Sequence, residues 1–328
     1  MPVRRMILFV TVCTIRQLPQ ALILGESIRR CHPNDLFLIG LADHPNHVPA
    51  LFKSPYPLLS VNDLPLPNRE QLSQQYTSAE FTAACKPLFI RQAGSMHPEA
   101  ERIVYLDSTI ELYQPLTELT TLYADYAIVL TPYLLRPPAD KAFPDEKYFQ
   151  NIGLYNSGFL ALKRSAEADR FLAWWGDRVP ERAFIDFCQG LCTDQIWLAL
   201  VPGLFDGVGI CKLPGWHVGL WNVHERVPKQ SANPSSLVFF NFKGLTDQEG
   251  FFVTQDRISL NDYPAIKQRL ADYQRRLKEV DKHSFAAVNP AFGQQPTKLP
   301  LMGWRKKATE TLQETVRFID TVDVPRKM

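Results

Sequence analysis

The side chains with chemistry to offer stand at the edges of apolar runs. Asp107 closes Arg102-Ile103-Val104-Tyr105-Leu106, a β-branched and aromatic run that suits a central strand buried on both faces. The ligand crevice of an open α/β sheet lies outside the carboxyl ends of its strands. Asp107 is therefore either a ligand group or an ordinary turn aspartate. If the strand stays extended through Glu111, then Asp107, Thr109 and Glu111 share one side. Asn156-Ser157-Gly158 introduces another apolar run, and Gly158 permits close backbone approach. Asp194, in Thr193-Asp194-Gln195, stands where a helix N-cap is expected. Thr11, Thr14 and Asp43 fall at strand ends, where turn chemistry is the plain explanation. For Lys86 the plain explanation is a solvated helix lysine.

The elements that must position these residues follow from periodicity. Residues 6–14 read as a strand, 20–30 as a helix and 35–41 as a second strand, a βαβ unit that favours a parallel sheet. No Gly-x-Gly-x-x-Gly follows the first strand, which argues against dinucleotide binding. A short strand is expected at 58–61 and a helix at 78–93, kinked or split by Pro87. After the Asp107 strand come a helix at 116–123, a strand at 126–130 and a long loop at 131–150 over the site. A strand at 157–162 leads to helices at 166–177, 181–190 and 196–201. Late strands at 208–213 and 236–242 precede an amphipathic helix at 263–280.

Composition narrows the function classes. The chain has 328 residues, 45% hydrophobic and 21% charged, the profile of a globular protein rather than a disordered or collagen-like one. A net charge of +2 with dispersed basic residues gives no nucleic-acid footprint. Six scattered cysteines without Cys-x-x-Cys suit small buried side chains in a reducing, cytoplasmic setting. The apolar run 6–12 after two arginines is too short to span a bilayer.

Several stretches in order resemble the GT-A-fold nucleotide-sugar glycosyltransferases of the glycogenin and lipopolysaccharide-galactosyltransferase (family 8-like) group, bacterial type. They are Thr11-Val12-Cys13-Thr14, Lys86-Pro87, Tyr105-Leu106-Asp107-Ser108-Thr109-Ile110, Tyr155-Asn156-Ser157-Gly158-Phe159, Asp194-Gln195, Trp221-Asn222 and Asn241-Phe242-Lys243-Gly244. The resemblance implies a mostly parallel central sheet flanked by helices. It also implies sugar transfer from a UDP-linked donor to a glycan or lipid-linked acceptor, with retention of configuration.

 The same resemblance implies roles for individual residues. The Thr11-to-Thr14 loop, with Val12, and Asp43 would line the nucleoside pocket, and Lys86 would approach the diphosphate. Asp107, with Ser108 and Thr109, would contact the ribose or a metal. Asn156, Ser157 and Gly158 would lie under the donor sugar, while Asp194 and Gln195 would face its reacting carbon. Trp216, His217, Trp221 and Asn222 suit either stacking on an acceptor sugar or plain core packing.

The chain departs from that family at two usual metal ligands. Thr109 stands in place of the second aspartate of Asp-x-Asp, and Asn241 in place of the histidine of His-x-x-Gly. Neutral oxygens hold Mn²⁺ or Mg²⁺ less well than carboxylate or imidazole, which leaves Asp107 as the remaining metal candidate. Lys243 brings an ammonium into the altered motif, and a lysine can neutralise phosphate in place of a metal. The competing readings are a weak-metal transferase, a catalytically inactive nucleotide-sugar or partner-binding protein, and a nucleotidyltransferase. The last should carry a glycine-rich basic loop, which 11–20 lacks.

The expected domains are 1–284, the GT-A unit, and 285–328, a linker and helical tail. The tail mixes Trp304, Leu312, Val316 and Ile319 with basic residues. That pattern suits a helix docked on its own domain or on a twin subunit, and less well a peripheral membrane contact, because Glu310, Glu314 and Asp320 dilute the positive face.

Overall fold

A computed structural model describes residues 6–49, 51–230, 236–246, 255, 257–296 and 303–322. Strand β1 (Ile7–Cys13) sends Leu8, Val10 and Val12 into one core layer and Ile7, Phe9 and Cys13 into the other. This is the period-two pattern of a strand covered on both faces. Helix α1 (Leu18–Cys31) carries the chain back to β2 (Leu36–Leu41), parallel to β1, and β3 (Leu58–Ser60) extends the sheet on that side. Helices α2 (Arg69–Gln75) and α3 (Ser78–Met96) then return the chain to β4 (Arg102–Leu106), on the opposite side of β1. The strand order reverses there, so a crevice opens beyond the carboxyl ends of β1 and β4.

β5 (Ile110–Leu112), α4 (Leu119–Asp125), β6 (Ile128–Pro132), α5 (Glu146–Ile152), β7 (Tyr155–Lys163) and α6 (Ala166–Arg178) follow. Next come a small hairpin of β8 (Ile185–Asp186) and β9 (Leu191–Cys192), then α7 (Val201–Leu204) and β10 (Val208–Ile210). β11 (Val218–Gly219), α8 (Val223–Arg226), β12 (Phe239–Asn241) and α9 (Pro264–Val280) complete the main unit, and α10 (Trp304–Asp320) lies in the tail. The large sheet has seven strands in the order β10-β6-β7-β4-β1-β2-β3, parallel except for β7. A three-stranded sheet, β11-β12-β5, stands beside it. The mostly parallel α/β sheet flanked by helices is the fold class expected from the sequence.

Several local expectations are corrected. Residues 181–190 are not a helix: Asp186 Oδ1 accepts the Cys188 and Gln189 amides, and Gly190 takes a φ of +68°, which turns the chain into the β8–β9 hairpin. Glu80 ties that hairpin down, accepting the Ile185 amide at 2.6 Å while its other oxygen caps α3 through Thr77. Helix α3 runs through Pro87 without splitting. The stretch 131–150 is not wholly loop, because Asp145 caps α5 at its end.

The chain divides into two compact units, Met1–Gln295 and Pro296–Met328. Residues 285–295 thus pack with the main unit, where Phe285 and Phe292 are buried. In the second unit α10 exposes Leu312, Val316 and Phe318. Among the described residues no helix is long and apolar enough to cross a membrane.

Candidate active site

β4 ends at Leu106, and a turn follows in which the Ile110 amide donates to the Asp107 carbonyl at 3.0 Å. The extended continuation expected from the sequence is therefore absent. Asp107, Thr109 and Glu111 go three ways, with Glu111 paired to Arg276 and Tyr113 away from the crevice. Asp107 itself is held at the carboxyl edge, its amide donating to the Gly158 carbonyl at 2.9 Å.

The Asp107 carboxylate is the hub. Oδ1 accepts the Tyr105 hydroxyl at 2.8 Å and lies 3.8 Å from Lys86 Nζ, while Oδ2 lies 4.0 Å from Lys243 Nζ. Burial pushes its pKa up, but the two ammonium groups and the Tyr105 hydroxyl outweigh that and hold it below the usual carboxylate range. Burial and the neighbouring carboxylates push Tyr105 far up, which keeps its phenol a proton donor to Asp107. Oδ2 also lies over Gly158. A Cβ there would sit 2.7 Å from it and 3.0 Å from Asn156 Oδ1, so the close approach needs glycine.

Lys86 enters from the middle of α3 and is almost wholly buried, 8% exposed. Its Nζ lies 2.8 Å from Asp194 Oδ2 and 3.1 Å from Ser157 Oγ, and 4.9 Å above the Tyr105 ring. Asp194 is thus an ion-pair partner and not the N-cap its sequence position suggests. No side chain caps the 3-10 turn that follows. Thr193, just before it, takes a left-handed φ of +53°, a conformation that costs about 1 kcal/mol or more for a non-glycine residue. Asn156 Oδ1 accepts the Gly158 amide at 2.9 Å. Asp107, Asn156, Asp194, Lys86, Ser157 and Lys243 are therefore one cluster, in which two ammonium groups face two carboxylates.

Other expected site residues are engaged elsewhere. Gln195 accepts the Tyr133 hydroxyl and donates to the Ile152 carbonyl, both at 2.6 Å, so it braces the segment 133–152. Ser108 is buried within the turn after β4. Thr11 and Val12 lie inside β1, and the Thr14 amide donates to Gln17 in a capping arrangement. Asp43 is fully buried and accepts the amides of Ile15, His44 and Ala291.

The aromatic-polar group is core. Trp216 and Trp221 are 1% exposed, with Trp216 edge-on to Phe159 and Phe239 and Trp221 edge-on to Tyr133. Neither offers a face to an acceptor sugar. Asn222 is consumed by the Gly219 amide and the Tyr133 and His217 carbonyls. His217 is buried against Phe159, Phe239 and Trp221, and burial, reinforced by nearby Arg226, Lys243 and Lys86, pushes its pKa down to about 3 despite Asp107. It is a neutral imidazole, with Nδ1 2.7 Å from Thr131 Oγ1.

The residues do not fit a divalent ion. Thr109 Oγ1 donates to Asn241 Oδ1 at 2.7 Å, and the Lys243 amide donates to the same oxygen at 2.9 Å. The two altered positions therefore satisfy one another, and ammonium groups already flank Asp107. Among the described residues no group of three or more His, Cys, Asp or Glu side chains could hold a metal.

No protein-family model matches this chain. It is similar to two proteins of Bacillus subtilis (strain 168). The uncharacterized protein YfnF is 25% identical over 182 residues, 53% of this chain and 59% of the relative. The uncharacterized protein YfnD is 22% identical over 198 residues, 58% of this chain and 60% of the relative. The chain thus spans about three fifths of the length of these curated relatives. Among solved structures it is similar to a glycosyltransferase involved in the glycosylation of the major capsid of PBCV-1, at 11% identity and a TM-score of 0.43, over 84% of this chain and 99% of that one. It is also similar to the galactosyltransferase LgtC in complex with donor and acceptor sugar analogs, at 12% identity and a TM-score of 0.47, over 87% and 98%.

Tyr105 is the site residue that sequence reasoning overlooked. Its signal was present: two residues before Asp107, it must share that residue's side of the strand.

Proposed function

We propose that this chain is a glycosyltransferase that moves a sugar from a nucleotide-sugar donor, UDP-linked, to a glycan or glycolipid acceptor. The observation that carries the reading is the cluster of Asp107, Asn156, Asp194, Lys86 and Lys243 at the switch point of the sheet. Transfer with retention breaks the bond between anomeric carbon and diphosphate oxygen and forms one to the acceptor oxygen, whose proton leaves with the diphosphate. Negative charge grows on the leaving group and positive charge on the sugar. Lys243, 41% exposed, is free to turn its ammonium to the diphosphate, and Asp194, fixed by Lys86, stands against the positive charge.

Metal independence belongs to the same proposal and is supported by the mutual hydrogen bond of Thr109 and Asn241. Donor-hydrolysis and transfer assays over a panel of UDP-sugars test both parts. Activity that persists in EDTA is the expected result. Complete loss in EDTA, restored by Mn²⁺, would refute the metal-free mechanism, and inactivity with nucleotide-sugars that also fail to shift the melting temperature would refute the transferase.

A further inference from the structure

The residues assigned by resemblance to the nucleoside, Thr11, Val12, Thr14 and Asp43, are all 5% exposed or less. Part of what covers them is the segment 285–295. Arg16 Nε donates to the Ala286 carbonyl at 3.3 Å, and the Ala291 amide donates to Asp43 Oδ1 at 2.9 Å. The Gly293 amide reaches Ser73 Oγ at 3.1 Å, and the Gln294 and Gln295 amides reach the Ser73 and Tyr76 carbonyls at 2.8 and 2.9 Å. These anchors run from just beyond the carboxyl ends of β1 and β2 to the last turn of α2 and the residue that follows it, Tyr76. The strap therefore lies along the carboxyl edge of the sheet, the edge at which an open α/β sheet binds its ligand.

Its contacts imitate a nucleoside. The Phe292 ring stacks on Phe81 with centroids 5.2 Å apart and planes 23° from parallel, and the Arg69 guanidinium lies 5.5 Å from the same ring. Beside it a backbone N–H donates to a carboxylate. A base offers the same flat π-face, and a ribose or base edge offers the same donor. Gly293 makes the fit possible. It has a φ of +78°, and a Cβ there would lie 2.3 Å from Ser78 Cα.

We propose that residues 291–293 occupy the nucleoside subsite as an internal stand-in, and that a nucleotide must expel them to bind. The inference rests on the nucleotide-donor reading above. A ligand that binds only the open form has its affinity reduced by the fraction of molecules that are open, so weakening the strap tightens binding.

The test is calorimetry with UDP, GDP, ADP and CDP on the full chain, alongside amide hydrogen exchange of 285–295. Phe292→Ala removes the stacked ring, and Ala291→Pro removes the N–H on Asp43 while leaving the ring in place, so the second variant serves if the first does not fold. Binding about tenfold tighter in either variant, with strap amides of the wild type exchanging faster when nucleotide is added, is the expected result. Weaker binding in the variants, with strap amides slowed by nucleotide, would make the strap a pocket wall and overturn the proposal. Equal binding by wild type and variants overturns the proposal while leaving the donor reading intact. If none of the four nucleotides binds any of the chains, the donor reading falls and the proposal falls with it.

Discussion

Replacing His217 with glutamine isolates the one strongly shifted histidine in the core. In the folded chain burial keeps its imidazole neutral until the pH nears about 3, whereas in the unfolded chain it takes up a proton near its ordinary value of 6.5. Between those limits the unfolded state binds the extra proton, so stability falls as the pH falls through 6.5 and levels off near 3. Each pH unit in that window corresponds to about 1.4 kcal/mol. At about pH 5 the accumulated loss is therefore about 2 kcal/mol. Urea unfolding of the wild type and His217→Gln at about pH 7.5 and about pH 5 measures it, because the remaining titrating groups are common to both chains. Glutamine loses ring packing and the Thr131 contact, so it starts less stable at the higher pH. The gap between the two chains should then narrow by about 2 kcal/mol at the lower pH. A gap that stays constant would show that His217 is not held neutral and would refute the argument.

The remaining tests act on the charged cluster. Lys243→Met should weaken UDP binding by about tenfold, the loss of one charge-assisted contact, with little change in melting temperature since its side chain is half exposed. Lys86→Met should cost about 3–5 kcal/mol in urea unfolding, because it leaves Asp194 buried without its cation. Gly158→Ala should cut transfer by about tenfold or more while the chain stays folded, since its Cβ displaces the Asp107 carboxylate. The double variant Thr109→Asp with Asn241→His sets a carboxylate and an imidazole at two positions that face one another. Calorimetry should then detect Mn²⁺ binding by the double variant, and the proposal of a metal-free site expects none from the wild type.

Strand and helix positions were legible because each depends on a short periodic run. Residues 6–14 and 102–106 reveal burial on both faces without reference to anything distant. The hairpin at 185–192 was not legible, since its helical composition is overruled by an aspartate turn and by Glu80, about a hundred residues away in sequence. The polar cluster was half legible. Motif order brought out Asp107, Asn156, Asp194 and Lys243, but no spacing rule shows that Lys86 pairs with Asp194 rather than with solvent. The same holds for Trp216, Trp221 and Asn222: aromatic and amide side chains look alike in sequence whether they face a sugar or a neighbouring strand.

The ion pair between Lys86 and Asp194 decides how the cluster can work. Two buried charges are costly to desolvate, and such a pair is seldom more stabilising than an apolar pair of the same size. Lys86 is also sealed beneath Ser157 and the Tyr105 ring, so it cannot follow a diphosphate as a flexible surface lysine would. Its role is therefore to fix carboxylates, holding Asp194 and Asp107 in place beside one ammonium. That leaves Lys243 as the cation of this cluster with freedom to meet a ligand. It also explains why removing Lys86 and removing Lys243 should have opposite signatures, the first seen mainly in stability and the second mainly in nucleotide affinity.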